Sequence, residues 1–182
     1  FRRVLFRSIT GIAPFRYLEY EVGPGVLIPR PETEIMVDEV LHQLSKFTEP
    51  VSIVDLGSGA GGIAISIATE TFGKKDVNVV AVEKSKDALK WLHRNIAKHE
   101  VNVRVVEQGV ETALMGVKCD VVVANPPYLP DDQVIPIELK FEPDLALFGG
   151  KGDGMAAPKE FIKAATRLLK SGGLLAIEHK IG

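Results

Sequence analysis

Val51-Ser52-Ile53-Val54-Asp55-Leu56-Gly57-Ser58-Gly59-Ala60-Gly61-Gly62 decides the fold. Val51 to Val54 has the length and branching of a buried strand, and it runs into Asp55. A glycine-rich turn follows. From Gly61 to Thr71, Ile63 and Ile67, and Ala64 and Ala68, recur at four-residue spacing, which predicts a helix. The pattern then repeats. Val77 to Val82 is a second strand, and Ser85 is placed to cap a helix carrying Ala88, Leu89, Leu92 and Ile96. Val101 to Val106 is a third strand and Cys119 to Ala124 a fourth. Met155 to Leu169 reads as a helix that Ser171-Gly172-Gly173 stops before a fifth strand, Leu174 to Glu178. Strands alternating with helices imply a mainly parallel sheet covered on both faces, a three-layer α/β/α class. Upstream, Thr33 to Leu44 predicts an amphipathic helix with Met36, Val37, Val40, Leu41 and Leu44 on one stripe. Pro29-Arg30-Pro31 before it is expected to be extended.

Composition bounds the rest. The 182 residues are 46% hydrophobic and 25% charged, which fits one ordered domain. No apolar run reaches the roughly 18 residues of a membrane span. One cysteine, Cys119, leaves no internal disulfide and fits a reducing cytoplasm. Phe1-Arg2-Arg3-Val4-Leu5-Phe6-Arg7-Ser8 resembles the translation of a sequencing-adapter oligonucleotide, so residues 1–8 are set aside as a scar rather than read as a basic leader. Without them Lys+Arg falls from 22 to 19 against 24 acids, a net charge near −5. That balance argues against a phosphate-binding face, and hence against nucleic acid as a direct partner. The expected organisation is a lead-in at 9–34 and a core domain at 35–182 whose last sheet strands are missing.

The glycine turn admits two ligands. Gly57, Gly59 and Gly62 satisfy the dinucleotide pattern G-x-G-x-x-G. Asp55 with Gly57, Gly59 and Gly61 equally satisfies D-x-G-x-G-x-G, the pattern of Rossmann-like S-adenosylmethionine (SAM)-dependent methyltransferases. Both readings place the ligand at the carboxyl ends of the strands. Glu83 ends the second strand, where an acid can accept ribose hydroxyls from either cofactor.

Asn125-Pro126-Pro127-Tyr128, directly after the fourth strand, discriminates between them. Two prolines remove two backbone donors and keep their carbonyl acceptors, and the Asn125 side chain adds another. Tyr128 offers a face that stacks on a planar amide or base. Such a turn suits an enzyme that methylates an amide or exocyclic amine. The Asn125 side-chain oxygen and the Pro126 carbonyl can accept the two N–H bonds of a carboxamide and fix its nitrogen in line with a methyl donor. No strong base is required. His42, His93, His99 and His179 are scattered, and the three on or near helices are read as solvated, so no metal site is expected. Asp131, Asp132 and Asp153 read as turn residues. Arg30 either pairs with an acid near the cofactor or is a surface charge.

With these motifs in place, the chain from about Ile9 onward resembles the release-factor glutamine N5-methyltransferases. Ile9-Thr10-Gly11 is similar to that family's hinge. Leu27-Ile28-Pro29-Arg30-Pro31-Glu32-Thr33-Glu34 is similar to its signature segment. Phe141-Glu142-Pro143, Leu147-Phe148-Gly149-Gly150 and Asp153-Gly154 are similar to the stretch after its substrate turn. The resemblance implies a class I SAM-dependent methyltransferase fold and a cytoplasmic monomer. It also implies methylation of the glutamine in the Gly-Gly-Gln loop of peptide-chain release factors, which aids translation termination. It places Asp55, Gly57, Ser58, Gly59, Ala60, Gly61, Glu83 and Asn125 around SAM, and Asn125, Pro126, Pro127 and Tyr128 around the glutamine, with Asn125, Pro126 and Tyr128 catalytic. Gly109 and Val110 stand where the family carries an acid and often an aromatic near the adenine. Glu107 or Glu111 is then the substitute. The alternatives are a ribosomal-protein glutamine methyltransferase and a nucleic-acid adenine-N6 methyltransferase.

Overall fold

The computed structural model describes residues 10–179; the segment read as an adapter scar lies outside them. Five parallel strands form the sheet: β3 (Val51–Leu56), β4 (Val77–Glu83), β5 (Val103–Glu107), β6 (Cys119–Ala124) and β7 (Leu169–Ile177), in the order β5-β4-β3-β6-β7. The order reverses between β3 and β6. In open α/β sheets that reversal opens a crevice at the carboxyl ends of the strands. The strands alternate their faces as the pleat demands. Val51, Ile53, Val79, Ala81, Val121 and Val123 face one core, and Val54, Leu56, Val82, Val122 and Ala124 face the other. Helices α1 (Glu34–Gln43), α2 (Gly62–Thr71) and α3 (Lys86–His99) belong to the larger core, and α5 (Ala156–Leu168) covers the smaller. A single turn, α4 (Asp144–Leu147), lies in the long loop between β6 and α5.

Three sequence readings need correction. The last strand begins at Leu169, not Leu174. A register shift between Cys119 and Val121 lets Ser171-Gly172-Gly173 run within the strand instead of stopping the helix before it. Pro31 is not extended but opens a 3₁₀ turn, Pro31–Thr33, that leads into α1; Arg30 before it has the extended backbone expected. His99 is only partly solvated. It is half-buried, its ring lies 5.3 Å from Tyr20, and burial lowers its pKa.

The lead-in holds a hairpin that the pattern did not show, β1 (Ile12–Phe15) paired antiparallel with β2 (Leu18–Glu21). Its tip is locked by Arg16, which bonds both Glu70 on α2 and Asp38 on α1. The buried Tyr20 hydroxyl sits 2.8 Å from Ser66 Oγ and donates to Gly62 O at 3.2 Å. Buried Asn95 donates to Glu21 O and Ala60 O, each at 2.9 Å, and accepts from Glu21 N–H at 2.7 Å. The hairpin is therefore a brace behind the glycine turn, reached through fully bonded polar groups.

Candidate active site

The glycine turn leaves β3 and crosses to the end of β4. Gly57 and Ser58 N–H both donate to Val82 O, at 2.9 and 3.0 Å. Gly61 has φ +90°, and a Cβ there would stand 2.6 Å from Ile65 Cδ1 and 2.7 Å from Leu92 Cδ1. The helix start and core packing by themselves require glycine here. Glu83 is buried at the end of β4. Oε2 accepts from Gly59 N–H at 2.9 Å, and Oε1 accepts from Lys84 and Ser85 N–H, both at 2.8 Å. A carboxylate has about four acceptor positions, so about one remains for a hydroxyl in this arrangement.

Two cavities meet in front of this turn. One, of about 410 Å³, is walled by Gly57, Ser58, Gly59, Ala60, Glu83 and the ring of Phe161, among others. The other, of about 640 Å³, holds Pro126, Tyr128, Leu139 and Glu178. Asn125 and Pro127 line both, as does Arg30. Asp55 lies behind the first cavity rather than in its wall. It is completely buried, neither carboxylate oxygen closes a hydrogen bond, and burial pushes its carboxyl up to about 7. Where an adenine contact was expected, Gln108, Val110 and Glu111 reach the cavity and Glu107 does not.

The Asn125–Tyr128 turn is held from two sides. The backbone at Gly149 packs directly on Gly154 O and Pro127 O, leaving no room for a Cβ. Leu129 N–H donates to Leu147 O, and Gly149 N–H to Leu129 O, each at 2.9 Å. On the other side, the lead-in is strapped across. Arg30 pairs with Glu142, whose Oε1 accepts from Ile28 N–H at 2.9 Å. Of the two readings of Arg30, the structure selects the paired one. Its Nη1 is buried and without a hydrogen-bond partner, a positive donor left over at the cavities' shared wall. Thr33 Oγ1 donates to Glu178 Oε2 at 2.6 Å and accepts from Asn125 Nδ2 at 3.2 Å. Burial, with Glu178 adding to it, raises the Tyr128 phenol, so its hydroxyl stays protonated. Asp131 Oδ1 accepts from Gly152 N–H and Asp153 Oδ1 from Met155 N–H, so both are turn residues as read. Among the described residues no three His, Cys, Asp or Glu side chains stand together as a metal site.

Residues 33–137 match the family model described as methyltransferase small domain. The chain belongs to that family. The methyltransferase small domain here is similar to proteins named release factor glutamine methyltransferase. With that of Streptomyces coelicolor it is 42% identical over 95% of this chain, and with that of Bifidobacterium longum 37% over 99%. The chain spans 62% and 65% of those curated relatives' lengths. Among solved structures, the Thermus thermophilus 16S rRNA N2 G1207 methyltransferase, in complex with AdoMet and guanosine, aligns with TM-score 0.61 at 21% identity. That alignment covers 90% of this chain and 40% of the other. At that identity the likeness shows the α/β Rossmann-like fold. No helix among the described residues is long and apolar enough to cross a membrane.

Proposed function

We propose that this domain transfers a methyl group from SAM to the side-chain amide nitrogen of a glutamine, the one in the Gly-Gly-Gln loop of a peptide-chain release factor. The observation that carries this reading is the meeting of two cavities at Asn125 and Pro127, one walled by the glycine turn and Glu83, the other by the rest of the Asn-Pro-Pro-Tyr turn. The residues present fit SAM. Gly57 and Gly59 give backbone access, Glu83 keeps an acceptor for a ribose hydroxyl, and the orphaned Arg30 Nη1 offers a donor for a carboxylate. SAM, when bound, supplies a methyl group activated by its sulfonium.

The chain's own residues supply orientation. An amide nitrogen is a weak nucleophile because its lone pair is delocalised into the carbonyl. Asn125 Oδ1 and the Pro126 carbonyl accept its two N–H bonds and favour charge developing on nitrogen in the transition state. Tyr128 packs on the amide plane and, being protonated, takes no proton. Release of the proton to water completes the transfer. The charged residues lining the second cavity are Glu32 and Glu178 against Arg30, a balance that favours a protein over a polyanionic nucleic acid.

Labelled SAM offered together with a release factor, a ribosomal protein and double-stranded DNA tests the reading. Label on the release-factor glutamine is expected. Label on adenine, or on the ribosomal protein alone, would overturn it.

A further inference from the structure

We infer that Thr33 and Glu178 fix which way the Asn125 amide faces, and so restrict the second cavity to groups that donate N–H bonds. This rests on the amide-methylation reading above and deepens it. Thr33 stands at the N-cap of α1, where a threonine hydroxyl ordinarily accepts a bond from the first turn of the helix. It makes no such bond here. The hydroxyl is turned to two partners that arrive from β6 and β7. Glu178 N–H donates to Ala124 O at 3.0 Å, which sets its carboxylate beside Asn125.

Proton counting then determines the amide. A carboxylate has only acceptors, so in the 2.6 Å contact Thr33 must donate its single proton to Glu178. Toward Asn125, Thr33 Oγ1 then presents lone pairs alone. The Asn125 atom 3.2 Å away must be a donor, which makes it Nδ2. The opposite setting would put two oxygens against each other with no proton between them. With Nδ2 committed, Oδ1 is the atom that Asn125 offers to the cavities. A carboxamide or amine meets it with N–H. A carboxylate of the same shape would meet it oxygen to oxygen. Thr33 and Glu178 are thus positioning residues acting through Asn125, and the pair selects a glutamine over a glutamate.

Nuclear magnetic resonance of the chain with ¹⁵N-labelled asparagine, read beside methyl-transfer kinetics on Gly-Gly-Gln and Gly-Gly-Glu peptides, tests this. In the wild-type chain, the Asn125 NH₂ protons should show an Overhauser contact to the Thr33 β-proton. Thr33→Ser should keep the equivalent contact and near-normal turnover. In Thr33→Val, kcat should fall on the order of 10-fold or more, KM for SAM should change less, and preference for the Gln over the Glu peptide in binding should shrink. In Glu178→Gln, the new amide can donate to Thr33, whose proton can then turn to Asn125, so two sets of Asn125 NH₂ signals are expected. A wild-type chain without the contact, or Thr33→Val with wild-type kcat and selectivity, would overturn the inference. If the wild-type chain methylates no glutamine, the functional reading falls, while the Overhauser contact still decides the amide orientation.

Discussion

The two cavities that meet at Asn125 are built by different means. In the first, the turn at residues 57–61 closes on Val82 and Glu83, Gly59 meeting Glu83 across 24 residues, and this part of the wall is shaped by backbone bonds and glycine conformations. The turn where the two cavities meet is held by side chains that are distant in sequence. Asn125 meets Thr33 across 92 residues, Arg30 meets Glu142 across 112, and Thr33 meets Glu178 across 145. Backbone-built walls stay in place when one side chain changes. Walls built by long-range pairs come apart when one partner is lost. The cofactor side is therefore the rigid half of the site, and the acceptor side the half whose geometry depends on a few bonds.

The largest expected effect lies behind the rigid half. Asp55 titrates near 7 when folded and near 3.8 when unfolded, so between these values the folded state holds the extra proton. Stability is greatest below about pH 4 for this group and falls as pH rises to about 7, by on the order of 4 kcal/mol. Chemical denaturation across that range should show the decline, and Asp55→Asn should flatten it; an unchanged slope in the variant would move the buried charge elsewhere.

Next comes the strap. Glu142→Ala leaves Arg30 without its partner and Ile28 N–H without an acceptor, a cost of about 3 kcal/mol. Hydrogen exchange should speed up across residues 27–33 while the 57–61 turn keeps its protection. Equal loosening of both would erase the contrast between the halves. Gly61→Ala comes after it, because φ +90° and the contacts to Ile65 and Leu92 are both violated. About 2 kcal/mol of destabilisation is expected in thermal unfolding. Glu83→Ala is the mildest, weakening SAM binding by about 1–2 kcal/mol in calorimetry, since one acceptor position on that carboxylate remains open to ligand.

The same division explains what could be read from sequence. β3, the glycine turn, α2, β4 and β6 were legible because strand branching, helical spacing and glycine placement are local signals. Cys119 to Ala124 matches its strand at both ends, and Ser85 caps α3 through a bond from Ala88 N–H. The hairpin was not legible: its strands are four residues each, one carries Pro14, and it is held by Arg16, Tyr20 and Asn95 rather than by a periodic apolar face. The early start of β7 was hidden because Ser171-Gly172-Gly173 reads as a turn until the register shift beside β6 is known. Asn125 to Tyr128 was found from its own chemistry. Thr33, Glu142 and Glu178 carry no local mark of their roles, since each acquires its meaning from a partner that only the folded sheet brings near. The resemblance did flag the segments holding Thr33 and Glu142, without saying what they touch.

A crystal structure of the chain with S-adenosylhomocysteine and a Gly-Gly-Gln peptide tests the central claim most directly. The account predicts the nucleoside against Glu83 in the first cavity and the glutamine side chain in the second. Its amide nitrogen should lie within hydrogen-bond reach of both Asn125 Oδ1 and the Pro126 carbonyl. A glutamine bound outside the second cavity, or an amide nitrogen facing neither acceptor, would contradict it.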